Sequence, residues 1–186
     1  MYKRQDLFPS VRFGINGLEH IGGRPMSPYD LERSSLSRSY ADVVDMLVLS
    51  GTTVTPTLAA FGGYASLAAR RSVWSEEPAY RRLFTREERA AWQASRPQRD
   101  LDGLQSTVAR LVRSGARVTA GSDAPSVPYG LGLHAELSLL NRAGVPADQA
   151  LRLVTAGAAL ALGLERDLGT IAVSYTHLTL PTTPYV

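Results

Sequence analysis

The sequence predicts an α/β fold with a parallel sheet. Short β-branched runs alternate with amphipathic runs of helical period, and glycines close the helical runs. The spacing of strand, helix and strand suits crossover connections between parallel neighbours.

The elements follow in order. Residues 17–21, GLEHI, read as a short strand after a helix end. Residues 40–50, YADVVDMLVLS, predict an amphipathic helix closed by Gly51. Residues 52–58, TTVTPTL, are β-branched and strand-like, with Pro56 near their end. The Arg-rich stretch 65–96 reads as one or two surface helices in an insertion. Residues 102–114 predict a second amphipathic helix with Leu104, Val108, Leu111 and Val112 on one face, ended by Gly115. Residues 117–120 predict a third strand, which runs into Gly121-Ser122-Asp123. A helix over 134–142 ends near Gly144, Pro146 opens another over 147–155, and 158–164 is a short Ala/Leu helix. No repeat of fixed period is present.

The 186 residues, 44% hydrophobic and 20% charged, suit one domain with a sizeable core. No apolar run approaches the ~20 residues of a membrane span, and the N-terminus has no apolar signal core. The absence of cysteine excludes disulfides, thiolate metal sites and cysteine nucleophiles. The net charge is +3 and the pI about 9.4. Within 70–99 the arginines are interleaved with Glu76, Glu77, Glu87 and Glu88. Mixed signs of this kind mark a solvated helical face, so neither a nucleic-acid nor a membrane partner is expected.

Lys3 is the only lysine, and it lies in an atypical N-terminal pentapeptide, MYKRQ. The Thr- and Pro-rich end, SYTHLTLPTTPYV, is equally unlike the Ala-, Gly-, Leu- and Arg-rich body. Both ends look like translated sequencing-adapter read-through. The expectation is a genuine body over 6–173, with 1–5 and 174–186 as non-native flanking sequence.

Three residues are candidates for chemistry. His20 ends the first predicted strand and is followed by Gly22 and Gly23, so a neutral imidazole there can ligate a divalent metal. Asp123 follows the third strand in VTAGSDAP, placed to bind metal or to take a proton from an attacking water. His134, in GLGLHAELSLL, falls near a helix start and within reach of the same mouth. Each has a purely structural alternative: a hydrogen-bonded core histidine, a capping aspartate, a locally packed histidine. Arg24 and Thr55 follow strands and are lesser candidates for substrate contact. No Gly-x-Ser-x-Gly elbow, phosphate-binding glycine loop or His-Glu-x-x-His is present.

The pieces GLEHIGG, TVTPTL, VTAGSDAP, GLGLHAELSLLNRAGVPADQALRLVTAGAALALGL and DLGTIA, in this order, resemble the C-terminal stretch of amidohydrolase-superfamily enzymes. The imidazolonepropionase-related and prolidase-like hydrolases look most similar. SPYDLERSSLSRSYADVVDMLVLSGTTVTPTL looks like large bacterial members that carry a β-propeller ahead of the barrel. The resemblance implies a (β/α)₈ TIM-type barrel, of which this body would supply approximately strands 6 to 8. It implies one or two divalent metals, usually zinc, and hydrolysis of an amide, lactam or dipeptide-like C–N bond of a small molecule through a metal-activated water. His20 matches the strand-six metal ligand, and Asp123 matches the strand-eight aspartate that binds metal and takes the proton. His134 matches a histidine frequent after that aspartate, a candidate for substrate binding.

Departures from the family pattern are equally plain. The His-x-His of strand one and the strand-five histidine are absent, and the body contains no lysine to bridge two metals. The resulting expectation is a fragment of a hydrolase, itself inactive, whose open sheet exposes strand residues such as Val54 and Val118. The alternative is a non-catalytic α/β binding or scaffold module.

Overall fold

The computed structural model describes residues 7–20, 41–69, 78–94 and 101–171. The flanks 1–5 and 174–186, like Arg24, lie outside the described residues.

The sheet is parallel, as its pattern predicts. Strand β1 (Gly17–Glu19) pairs with β2 (Thr53–Thr55), with Gly17 opposite Thr53, Leu18 opposite Val54 and Glu19 opposite Thr55. The expected third strand contracts to one parallel bridge, Val118 to Val54. It rests on Val54 N–H donating to the Arg117 carbonyl at 2.8 Å and Thr119 N–H donating to the Val54 carbonyl at 3.0 Å. The ladder stops there because the chain is drawn aside: the Thr119 hydroxyl donates to the Leu153 carbonyl at 3.1 Å, outside the sheet. Strand β2 is shorter than expected as well. Pro56 carries no amide N–H to extend a ladder, and Thr57 turns out of the sheet with φ 55°.

Helices carry the rest. They are α1 (Leu7–Arg12), α2 (Ala41–Ser50), α3 (Tyr64–Ala69), α4 (Pro78–Leu83), α5 (Arg86–Ala94), α6 (Leu101–Arg113), α7 (Leu131–Arg142), α8 (Ala147–Val154) and α9 (Ala156–Ala161). A single π-type turn, Ala59–Gly63, joins β2 to α3. Helix α7 begins three residues before His134, so that histidine lies inside the helix and not at its start. Among the described residues no helix is long and apolar enough to cross a membrane.

One apolar cluster unites these elements. Leu47 of α2, Val54 of β2, Leu58, Val108 and Leu111 of α6, and Leu139 and Leu140 of α7 are all fully buried in it. Each such side chain contributes roughly 1.5–3 kcal/mol relative to exposure. Helix α6 buries the stripe its period predicts, Leu104, Val108, Leu111 and Val112. The expectation that Val54 and Val118 would be exposed is not met: they are 0% and 3% exposed. Both lie inside the cluster with residues of α2, α6 and α7, so the helices cover these strand residues.

The Arg-rich stretch divides. Ala65 and Leu67 of α3 are buried, so its first helix belongs to the core, whereas the arginines Arg81, Arg82 and Arg86 are exposed. Apolar exposure instead gathers near the end of the described chain, at Leu151, Leu160, Leu162, Leu168 and Ile171.

Candidate functional site

His20 and Asp123 meet at one end of the sheet. His20 follows β1 directly, and its amide N–H donates to the Thr55 carbonyl at 2.9 Å, the last hydrogen bond between the two strands' ends. Asp123 lies five residues after the Val118 bridge, beyond the same end of β2. Two side chains from segments more than a hundred residues apart thus converge, with His20 Nε2 4.0 Å from Asp123 Oδ1. Their side chains are 37% and 40% exposed, open to solvent yet held at the sheet end. An ion pair this exposed would contribute little to stability, so electrostatic gain alone does not account for the placement.

The backbone here is unusual. Among the described residues, the non-glycine residues with positive φ are His20 (69°), Thr57 (55°) and Asp123 (54°). His and Asp tolerate this region, but a β-branched Thr does so at a real steric cost. Each such residue stores on the order of 1–3 kcal/mol of strain, held by surrounding structure and concentrated where geometry matters for function.

Thr57 connects the strain to the imidazole. Its Oγ1 lies 2.8 Å from His20 Nδ1 and also donates to the Pro56 carbonyl at 2.7 Å. A hydroxyl has one hydrogen, and here it is given to Pro56. With that hydrogen on the Pro56 carbonyl, His20 Nδ1 is the donor to Thr57, and Nε2 is the ring nitrogen that faces Asp123. Phe61 supports the ring from its edge, with centroids 5.8 Å apart at 81°.

This is the arrangement a metal-binding histidine requires, one ring nitrogen fixed by an outer partner and the other free to bind. A tetrahedral ion with bonds of about 2.1 Å sets two ligand atoms roughly 3.4 Å apart, so the His20–Asp123 pair, at 4.0 Å, would have to close in to share one. In number the donors fall short. Among the described residues no group of three His, Cys, Asp or Glu side chains is placed to hold a metal.

His134 does not belong to this pair. It is exposed on α7, two residues before the fully buried Glu136, hence on the opposite side of the helix. Thr55 is buried, and its hydroxyl donates to Glu19 Oε1 at 3.1 Å.

Two residues were missed by sequence reasoning. Thr57 carried no signal beyond following a proline. Glu136 did carry one: it stands within an apolar helical stripe beside Ala135, Leu139 and Leu140, where a carboxylate is rare unless held. Its Oε1 accepts the Leu58 N–H at 2.9 Å and its Oε2 the Ala59 N–H at 2.7 Å. Burial pushes its pKa up from 4.5 to about 7, against the opposing pull of the Ala59, Leu58 and Thr57 amides.

In parallel α/β barrels the active site is built beyond the C-terminal ends of the strands, the end at which His20 and Asp123 lie. Comparison narrows the class. Residues 36–176 match the sequence pattern of the amidohydrolase family, and the chain belongs to that family. The crystal structure of a Xaa-Pro dipeptidase with methionine bound in its active site shares the fold, with a TM-score of 0.56 at 19% identity. The likeness covers 89% of this chain and 33% of that one, so this chain spans about a third of the dipeptidase. No curated protein matches the sequence.

Proposed function

We propose that this chain is part of a (β/α)₈ barrel of a metal-dependent amidohydrolase, approximately strands 6 to 8, which cleaves a C–N bond of a small amide, lactam or dipeptide-like substrate. The observation that carries the reading is the His20–Asp123 pair, joined across the sheet end with the His20 ring fixed by Thr57. Family membership and a dipeptidase neighbour support the reaction class.

In this reading His20 Nε2 and Asp123 would hold one divalent metal, zinc by the family's habit. When bound, such an ion polarises a carbonyl and lowers the pKa of water. Asp123, whose side chain is exposed, would take the proton of the attacking water. The Thr57 bond holds His20 in the binding tautomer. His134, the sequence's candidate for substrate binding, stands exposed on the other side of α7 and takes no part in this reading.

With two protein ligands, the chain alone should bind zinc weakly and hydrolyse nothing. Calorimetric zinc titration of the chain, His20→Ala and Asp123→Asn tests this. Weak binding lost in both variants supports the site. Binding unchanged by either substitution overturns it and favours a non-catalytic module, while micromolar or tighter binding abolished by His20→Ala would show that the site is complete within this chain.

A further inference from the structure

Glu136 is the strongest buried feature that the proposed chemistry leaves unused. It belongs to α7, makes no contact with His20 or Asp123 among the hydrogen bonds described, and is 0% exposed. Its carboxylate crosses 77 and 78 residues of sequence to accept the Ala59 and Leu58 amides.

Those amides have a shared problem. They open the π-type turn Ala59–Gly63, and the first N–H groups of a helical turn have no partner inside it. Leu58 occupies the cap position, and its side chain makes no capping bond. Glu136 supplies the missing acceptor from another helix. The residue immediately before the clamp is Thr57, strained at φ 55° and bonded to the His20 ring. Phe61, within the same turn, also meets the His20 ring, in a T-shaped contact.

We propose that Glu136 is a positioning residue for the site: by clamping the Leu58 and Ala59 amides it fixes the turn that sets Thr57 and Phe61 against His20, and thereby holds the His20 tautomer. It touches no reacting atom and acts only through the turn. The proposal rests on His20 and Asp123 being the functional pair.

The test reads the ring itself. Side-chain ¹⁵N spectra of the full chain report the tautomer of each histidine, with His20, His134 and His177 assigned by substitution. In the parent chain His20 should be held as the Nδ1–H form. Thr57→Val should abolish that preference, and Glu136→Gln should reproduce the loss while the protein stays folded. Glu136→Leu repeats the experiment without a buried polar group. Leu140→Ala, a comparable loss of core on the same helix, should leave the His20 signals in place. A folded Glu136 variant with an unchanged His20 tautomer overturns the proposal. So does failure of both Glu136 variants to fold while Leu140→Ala folds, since Glu136 would then be a general support of the fold. These readouts need no metal, so they stand apart from the zinc titration, which decides the functional pair.

Discussion

The Trp92 indole N–H donates to the Pro125 carbonyl at 3.0 Å, which ties α5 to the loop two residues beyond Asp123. Phe84 braces the indole edge-on, with centroids 5.1 Å apart at 88°. The Arg-rich stretch therefore reaches back to the site through its aromatic residues, while Arg81, Arg82 and Arg86 are exposed.

Trp92→Phe should keep most of the packing on Phe84 and delete the bond. The expected loss is roughly 0.5–1.5 kcal/mol, near the lower end because the bond is solvent-accessible. Urea unfolding measures it. A loss well beyond this range would mean that the indole's bulk, and not its N–H, holds the loop.

Gly63 has no room for a side chain. A Cβ there would collide with Leu139 Cδ1 and come within 2.5 Å of the Leu58 carbonyl oxygen. One of those neighbours is backbone and cannot swing aside. Gly63→Ala should destabilise the protein by about 1–3 kcal/mol, seen as a lower urea midpoint with unchanged slope. A neutral result would show that the turn after Leu58 yields easily, and would weaken the case that it positions anything.

Stability should depend on pH through Glu136. Its folded pKa, about 7, lies above the ordinary 4.5, so the folded state holds the proton more tightly. Below 4.5 both states are protonated, and above about 7 both are ionised. Between those values the unfolded chain binds fewer protons, so stability falls as pH rises. The full change is on the order of 3 kcal/mol. Denaturation at pH 5 and pH 8 should show it in the parent chain and lose most of it in Glu136→Gln. A slope that persists in the variant would assign the effect to other groups.

Much of this arrangement was legible in the residues. Leu104, Val108, Leu111 and Val112 announced their buried face because an amphipathic stripe is a local pattern. His20 and Asp123 were legible as a pair through strand ends, since residues that follow parallel strands emerge at one end of a sheet. The third strand was over-read, because β-branched composition at 117–120 predicts propensity but not how far a partner continues. Glu136 and Thr57 escaped notice for a different reason. Their roles lie in contacts 37 to 78 residues away in sequence, and only the folded chain shows which amides lack partners.

The last prediction concerns association. An open sheet exposing Val54 and Val118 would have favoured association, but both are buried. The exposed apolar surface lies elsewhere, on α8, α9 and the segment after them: Leu162 is 72% exposed, Leu168 53% and Ile171 93%. Leu151, Ala158, Ala159, Leu162, Leu168 and Ile171 line one concave face, and several leucines gathered on one face favour association more than scattered ones do. Size-exclusion chromatography should therefore find the chain above its monomer mass of 20.1 kDa. The double variant Leu162→Glu, Leu168→Glu should move it toward monomer without loss of helix, because both side chains are exposed and the core is untouched. A sharp monomer peak with cooperative unfolding in the unmodified chain would refute this, and would mean that the described core suffices as an independent domain.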